Sequence, residues 1–439
     1  MSLLNRVVAA KPDELRAALW SFAYFFCLLA AYYVLRPLRD EMGIAGGVRN
    51  LHWLFTATFV VMLAAVPIFG AVVARLPRRR FIPLVYHFFV LNIAIFWLLL
   101  TFGVAPVTVA RVFFVWISVF NLFAVSVFWS FMADLFAAEQ GKRLFGFIAA
   151  GGSAGALLGP TLTVWLAGPL GPVNLLIVAA VLLEAAVLCA HRLESAAPRK
   201  SGDAPAPAQA AIGGNPIAGF ALLLRSPFLA GIALWVLLLS LCGTFLYFAQ
   251  ANLVAAASDD PAVRTRIFAS VDLAAGVLTI LIQFVATGRL MTRFGAGPAL
   301  AFLPLVFATG FAALAVSPLL LLVIAFQALQ RTANFAISNP AREVLFTVVD
   351  REEKYKAKYL IDGVVFRGGD ALFGWLFNLL RSAGAELATI SAAAVPVALG
   401  WLALALALGK AQERRATPIK GSAVETVVGA HPQGTVPKS

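Results

Sequence analysis

Four polar residues share one face of an otherwise apolar segment near residue 330. Gln327, Gln330, Arg331 and Asn334 follow one another at i, i+3, i+4 and i+7, which places them on one side of a helix. A charged side chain is costly inside a bilayer and usually lines a cavity there. Because a guanidinium offers a planar fork that suits carboxylate or phosphate, this face predicts an anion-binding site. A buried polar network that joins two helices is the structural alternative.

The first apolar segment carries a second polar stripe. Tyr32, Arg36, Arg39 and Asp40 lie close together on one side of its predicted helix. Aromatic rings stack on flat ligands and arginine binds multivalent anions, so Tyr32, Arg36 and Arg39 predict further contacts to a solute. Asp40 predicts a gating or proton-coupling group. In the alternative interpretation, the two arginines extend to the outer membrane interface and contact no solute.

Acidic residues interrupt the apolar segments of the second half. Asp272 lies on the eighth predicted helix, and Asp362 and Asp370 lie on the eleventh. Arg367 precedes Asp370 by three positions, so these two side chains are able to pair directly. Such pairs predict gates that break and re-form during a transport cycle. In a proton-coupled protein, Asp272 or Asp362 would instead carry the proton.

The segments that must position these residues are long and apolar. Hydrophobic residues make up 61% of the 439 residues, charged residues make up 13%, and the mean hydropathy is +0.90. A helix needs roughly 20 apolar residues to cross the hydrocarbon, so the sequence predicts an all-α polytopic membrane protein with about 12 transmembrane helices in two six-helix halves. The predicted helices cover residues 17–41, 51–74, 81–103, 107–131, 144–167, 173–191, 228–256, 264–289, 297–316, 318–340, 359–381 and 385–408.

Composition divides the chain into four parts. Residues 1–191 form the predicted N-terminal half, and residues 217–409 form the C-terminal half. The stretch 192–216 is rich in Ala, Pro, Gly and Ser, which predicts a flexible cytoplasmic linker. The polar tail 410–439 predicts a disordered cytoplasmic segment.

The placement of the positive charge indicates a membrane orientation. The formal net charge is +13, and the basic residues gather in every second connection between the apolar segments. This alternation follows the positive-inside rule and predicts that both termini lie in the cytoplasm, in a membrane of the bacterial inner type. Because the charge is dispersed over membrane loops, it argues against a nucleic-acid partner.

A short pattern recurs in the two halves. Gly70 precedes Arg75 by five positions after the second helix, and Gly288 precedes Arg293 by five positions after the eighth. Both stretches resemble the loop signature of the major facilitator superfamily. That resemblance implies a carrier built from two six-helix repeats around a midplane site.

Four longer stretches resemble the ATP/ADP antiporter family of plastids and intracellular bacteria, a branch of the facilitator fold. They are residues 32–40, 128–146, 288–295 and 340–369, and the last is similar to the family's Lys-Glu … Lys-x-Lys-x-Lys … Ile-Asp … Arg-x-Gly block. Asp370 stands where that family usually has lysine. The resemblance implies substrate-binding or gating roles for Arg39, Arg342, Glu343, Lys358, Asp362 and Arg367.

The leading prediction is a secondary transporter that moves a small anionic, nucleotide-like solute by alternating access, with ATP/ADP exchange as the form that the resemblance implies. A proton-coupled facilitator that exports amphipathic molecules or lipids is one alternative, and a non-transporting membrane scaffold or sensor is another. The four histidines are scattered, with no nucleophile–base cluster or metal-ligand spacing, so we expect no enzyme activity, metal or cofactor. The expected partners are the solute and the lipid bilayer, and the oligomeric state stays open.

Overall fold

The computed structural model describes residues 14–75, 78–196, 222–223, 225–283, 285, 288–350, 353–354, 357–358 and 360–416, and regular structure in these ranges is helical throughout. In the first half, the helices are α1 (Leu15–Ala45), α2 (Leu51–Arg75), α3 (Arg78–Thr101), α4 (Pro106–Leu135), α5 (Ala138–Leu170) and α6 (Leu175–Ala196). In the second half the long helices are α7 (Pro227–Ala257), α8 (Pro261–Ile282), α9 (Ala296–Val316), α10 (Leu320–Ala333), α11 (Phe366–Ser382) and α12 (Leu387–Ala416), and a short helix, Gly288–Phe294, lies between α8 and α9.

Most of these helices are suited to a bilayer. Within the described ranges, 11 helices are long and apolar enough to cross a membrane. The shorter α11, which carries Arg367 and Asp370, occupies the remaining predicted span. The predicted fold class, an all-α polytopic membrane protein, is therefore confirmed.

Two helices extend past the predicted starts of the linker, at residue 192, and of the tail, at residue 410. Helix α6 continues to Ala196 and α12 continues to Ala416, and the division of the chain into four parts stays a prediction. Both extensions consist mainly of Ala, Leu, Glu, Gln, Lys and Arg, which favour helix. The rest of the two predicted segments lies outside the described residues.

Each half of the chain builds its own aromatic core. In the first half Phe25 stacks on Phe128 with ring centroids 4.1 Å apart, and in the second half Trp235 lies 5.3 Å from Trp401. The apolar cluster of the second half also includes Leu54 of α2. The two bundles are thus joined by apolar packing as well as by the polar contacts described below.

The site lies between two opposite faces of the molecule. We call the face where α1 begins and α12 ends the tail face, and the opposite face, where α1 ends and α2 begins, the far face. The halves meet where α1 and α5 contact α8, and where α2 contacts α11. Most polar residues of the predicted site lie on α1, α8, α10 and α11 or on the segments that adjoin α10 and α11.

Two helices contain a wider π-helical segment next to the site. Helix α10 continues through the π-helix Asn334–Ser338 into a last turn, Asn339–Leu345. Helix α11 is preceded by the π-helix Leu360–Val365, which contains Asp362. Such segments are rare and occur often at functional sites. They shift the faces on which Asn334 and Asp362 lie relative to a regular helix.

Glycines allow α5 to lie directly against α1. A Cβ atom at Gly151 would come within 2.5 Å of the Phe22 carbonyl oxygen, and one at Gly159 within 2.7 Å of the Ala30 carbonyl oxygen. At Gly155 a Cβ would meet the Phe26 carbonyl oxygen more closely still. Small residues at such positions allow helix backbones to approach one another inside membranes.

Replacing Gly155 by alanine is expected to separate these two helices. The new methyl group has no space beside a rigid backbone carbonyl, so we expect a loss of roughly 1–3 kcal/mol, as for other overpacked sites. Thermal unfolding in detergent measures this loss. Gly168 lies in the same helix with no atom within 4 Å of a built Cβ, so Gly168→Ala is the matched control. Equal melting temperatures for the two variants would contradict the tight contact.

Candidate functional site

A buried carboxylate at the centre of the molecule is contacted by arginines from both halves. Arg36 of α1 places its Nη1 3.5 Å from Oδ1 of Asp272 on α8. Arg331 of α10 donates from its own Nη1 to the same oxygen. The Asp272 side chain is only 1% exposed, and its second oxygen, Oδ2, is buried without a hydrogen-bond partner among the described residues. These three predicted site residues form one cluster, which we call the central triad.

A second charged cluster lies between the halves beside the triad. The hydroxyl of Tyr247 on α7 donates to Asp40 of α1 at 3.0 Å, and Nε of Arg39 lies 3.6 Å from the same carboxylate oxygen. On the other side, Arg367 places its Nη1 3.5 Å from Asp370. A small pocket is lined by Arg39, Arg367 and Asp370 together. The structure thus brings the predicted stripe of α1 and the predicted Arg367–Asp370 pair of α11 to one place.

Asp370 is held by hydroxyl groups as well as by arginine. Ser240 of α7 donates to it at 2.7 Å, and Thr244, one turn further along, lies 3.4 Å away. Because a carboxylate accepts several hydrogen bonds at once, α7 is able to satisfy this acid within the protein interior.

The amides of α10 take part in a different contact from Arg331. Gln327 donates to Gln250 of α7 at 2.8 Å, and Gln330 donates to Gln327 at 2.8 Å. These bonds join two helices of the same half, as the structural alternative for this face requires. Asn334 is partly buried, and its Oδ1 has no hydrogen-bond partner among the described residues.

Tyr32 lies among aromatic residues of the first half. Its ring centroid is 5.2 Å from that of Tyr33 and 6.5 Å from that of Phe120. Tyr33, rather than Tyr32, lines the polar pocket beside the central triad.

Four residues that the family resemblance implicates form two ion pairs within the second half. Arg342, in the last turn of α10, places its Nη1 3.0 Å from Asp362, in the π-helix before α11. Lys358 donates to both oxygens of Glu343 at 2.6 and 2.7 Å. These two pairs connect the end of α10 to the start of α11 without reaching the first half.

An ion pair near the far face was missed by the sequence analysis. Arg264 at the start of α8 lies 2.9 Å from Glu41 of α1, and their side chains are 13% and 2% exposed. Nearby, the Trp375 indole donates to Thr56 at 3.1 Å, which joins α11 to α2. The sequence feature that could have indicated this ion pair is the presence of two adjacent acids, Asp40 and Glu41, inside an apolar segment.

A cavity of about 380 Å³ separates the halves between the centre and the tail face. One wall comes from α2 and α4 and is apolar, with Phe59 as its aromatic residue. The other wall belongs to the second half and includes Lys358, Asp362 and Arg367. A smaller polar pocket of about 160 Å³ is lined by the central triad together with Tyr33 and Gln283.

The two faces of the molecule therefore differ. The Arg36–Asp272 and Glu41–Arg264 pairs join the halves at the centre and near the far face. The Arg342–Asp362 and Lys358–Glu343 pairs stay within one half, beside the cavity that extends towards the tail face. Among the described residues, the ion pairs that join the halves thus lie at the centre and near the far face, and those beside the cavity stay within the second half.

Two helical bundles around a central charged site define a membrane transporter, and comparison with known proteins gives its family. Residues 15–354 match the Major Facilitator Superfamily, and the chain belongs to that superfamily. This result confirms the prediction of a transporter rather than an enzyme. It also agrees with the multi-pass membrane placement, whereas the type of membrane and the cytoplasmic termini stay predictions.

The chain is also similar to curated carriers over part of its length. It is 26% identical over 215 residues to ADP,ATP carrier protein 1 of Chlamydia trachomatis serovar D. The aligned residues cover 44% of this chain and 41% of that protein. It is 22% identical over 324 residues to ADP,ATP carrier protein 1 of Chlamydia muridarum. This alignment covers 65% of this chain and 61% of the relative. The chain thus spans less than two thirds of these relatives.

Solved structures agree with the fold. A POT family transporter in complex with 5-aminolevulinic acid has a TM-score of 0.64 at 11% identity, covering 92% of this chain and 97% of that one. The nucleoside transporter NupG has a TM-score of 0.60 at 15% identity, covering 92% of this chain and 100% of that one. An inward-facing bacterial homologue of human Spinster has a TM-score of 0.56 at 14% identity, with coverages of 92% and 98%.

Proposed function

We propose that this transporter exchanges anionic, nucleotide-like solutes, ATP for ADP, by alternating access. The observation that supports this most directly is the central triad, in which Arg36 and Arg331 from opposite halves share one carboxylate, Asp272. Arg39 and Arg367 lie close by, so the interior holds several guanidinium groups from both halves. The partial similarity to ADP,ATP carriers supports the same solute class.

The triad suggests how an anion would drive the cycle. Guanidinium binds phosphate oxygens with the same planar fork that it offers to carboxylate, so an incoming phosphate group competes with Asp272 for Arg36 and Arg331. That competition releases the Arg36–Asp272 link between the halves. Without an anion the link holds the halves in place, and the empty carrier returns slowly. Transport by exchange follows, because each movement requires a bound anion.

The cavity suits the remainder of such a solute. Phe59 offers an aromatic surface within an otherwise aliphatic wall, and stacking of a base on an aromatic ring is worth roughly 1–3 kcal/mol. Lys358 and Arg367 on the facing wall supply positive charge. A molecule with a flat ring at one end and phosphates at the other matches both walls.

Uptake of labelled ATP into proteoliposomes tests this function. We expect uptake that requires internal ADP and is lost in empty vesicles. Arg331→Ala is expected to reduce the rate at least about 100-fold, since it removes a buried charge interaction of roughly 3 kcal/mol or more. Arg367→Ala is expected to reduce the rate less, because the Arg367 side chain is 36% exposed. Arg266 is exposed on α8 and outside these clusters, so Arg266→Ala is the matched control.

The outcomes of this experiment are distinct. Gel filtration of each variant establishes that it is folded before its rate is compared. Equal uptake with and without internal ADP would reject exchange, and no uptake by the folded parent would reject ATP as the solute. Full activity of both arginine variants would remove these residues from the pathway.

The apolar cavity wall favours proton-coupled export of amphipathic molecules as a second candidate. Asp362 lies in the cavity with its side chain 36% exposed, so it is accessible to protons from the tail face. Under this candidate, transport of an amphipathic dye would follow an imposed pH gradient without any counter-substrate. Asp362→Asn would abolish that dependence, because the amide does not bind and release the proton. Dye movement that ignores the gradient would exclude this candidate.

A further inference from the structure

The far face contains a cleft whose charged residues are basic. Its volume is about 330 Å³. The first half contributes Arg49 and His52, and the second half contributes Asn252, Asn378 and Arg381. No acidic side chain is among the described residues that line it. The cleft is separate from the central triad and from the cavity that extends towards the tail face.

The two arginines of this cleft differ from those of the interior. In the part of the chain that the structure describes, neither Arg49 nor Arg381 forms an ion pair, whereas Arg36, Arg264 and Arg331 all do. Arg381 donates one N–H to the Ala385 carbonyl oxygen at 3.1 Å and has further N–H groups available. Their positive charge is therefore not compensated locally.

Acidic residues of the neighbouring connections do not compensate this charge. On the far face these connections contain Asp259, Asp260 and Glu386. Asp260 accepts from the backbone N–H of Ala262 at 2.8 Å and so caps α8. The described ion pairs include none between these acids and either arginine of the cleft.

The local backbone brings the start of α2 and the end of α11 to the cleft, so their helix dipoles oppose each other and the net positive charge comes from the two arginines. Residues Val48–Asn50 form a 3-10 turn that leads into α2, so the amino-terminal end of a long helix lies at the cleft. Helix amino termini carry a partial positive charge and free N–H groups. Asn378 on the opposite wall supplies a neutral amide donor. We propose that this cleft binds a phosphate-bearing anion between Arg49 and Arg381.

An anion in the cleft would act on the conformation of the transporter. The two walls belong to different halves, so both arginines reach the same anion only while the far face is closed. A ligand that binds one conformation better shifts the population towards that conformation. The bound anion therefore stabilises the far-face-closed state, and this effect does not depend on which solute is transported.

Arginine modification tests the cleft directly. The purified full-length protein in detergent is treated with phenylglyoxal at increasing pyrophosphate concentrations, and the adduct at each arginine is measured by peptide mass spectrometry. We expect pyrophosphate to protect Arg49 and Arg381 with one shared half-saturating concentration. Arg266 is exposed outside the cleft, so its modification rate is expected to stay unchanged.

A variant separates this cleft from the central site. Arg49→Gln is expected to raise the pyrophosphate concentration that protects Arg381 about tenfold, the effect of losing one charge-assisted hydrogen bond. Arg266→Gln removes the same charge outside the cleft and is expected to leave that concentration unchanged. If pyrophosphate acted only through the central triad, Arg49→Gln would have no effect, and the proposal would be wrong.

Lipid provides the second source of a phosphate group. The same protection is measured with phosphatidylglycerol added to the micelles in place of pyrophosphate, and with zwitterionic phosphatidylcholine as its control. Protection by phosphatidylglycerol alone would support the site with a lipid headgroup as its occupant. Protection by pyrophosphate alone would support a soluble anion, and protection by neither would overturn the proposal.

Discussion

Asparagine in place of Asp272 is expected to make the protein less stable alone and more strongly stabilised by ATP. The substitution keeps the shape of the side chain but leaves Arg36 and Arg331 buried without their shared counter-charge. Breaking a buried ion pair by removing one partner typically costs about 3–5 kcal/mol. An anionic solute that takes the place of the Asp272 carboxylate would restore this energy on binding. We therefore expect a larger rise in melting temperature with ATP than the parent shows.

Transport is expected to fall in the same variant. The variant binds the solute more tightly but does not stabilise the transition state of the conformational change. The solute is therefore released more slowly, and the transport rate does not rise. ATP/ADP exchange and thermal unfolding with and without ATP measure the two effects on one protein sample. Asp259→Asn makes the same change at an exposed position on the far face and is the matched control. Equal stabilisation of the parent and Asp272→Asn by ATP would show that the solute does not compete with this carboxylate.

The sequence predicted which α10 residues share a face but not what that face contacts. Gln327, Gln330 and Arg331 were expected to form one anion-binding surface, yet the two amides bond to one another and to α7, while Arg331 pairs with Asp272 of α8. Helical spacing determines the direction of a side chain around its own helix. Which neighbour lies there depends on the packing of α7 and α8, which a single sequence does not specify.

The helix ends were harder to interpret than the helix centres. Arg264 stands near the start of α8, where a basic residue commonly extends to the membrane interface, so nothing local distinguished it. Its partner, Glu41, is more than 200 positions away in the chain, and only the contact between α1 and α8 brings the two together. The acids and arginines within the apolar segments were recognisable, because a charge in that setting requires an explanation.

The positions of the ion pairs suggest how the pairs act together during the transport cycle. We infer that Glu41–Arg264 holds the far face closed while Arg36–Asp272 holds the centre, and that an anion acts on the second pair. The tail-face pairs, formed within one half, leave the cavity accessible. Loss of the far-face pair should then change which side of the membrane the site faces, without removing any arginine from the centre.

Glutamine in place of Glu41 is accordingly expected to open the far face. The substitution leaves Arg264 buried without a counter-charge in the closed state, whereas water reaches this arginine in the open state. A difference of a few kcal/mol between the two states is enough to shift the population at least about tenfold towards the open one. Leu54 on α2 is 4% exposed in the present state and lies in the apolar cluster that joins the halves, so Leu54→Cys reports the opening.

The rate of thiol labelling at this cysteine, in a background without the native cysteines, measures the shift. We expect labelling at least about ten times faster with Glu41→Gln than without it. Glu386→Gln removes an exposed acid from the same face and is expected to leave the rate unchanged. Exchanging the two charges, Glu41→Arg with Arg264→Glu, should restore slow labelling, because the pair re-forms with its polarity reversed. Fast labelling in the exchanged variant would mean that α1 and α8 need these side chains for their shape rather than for their charge.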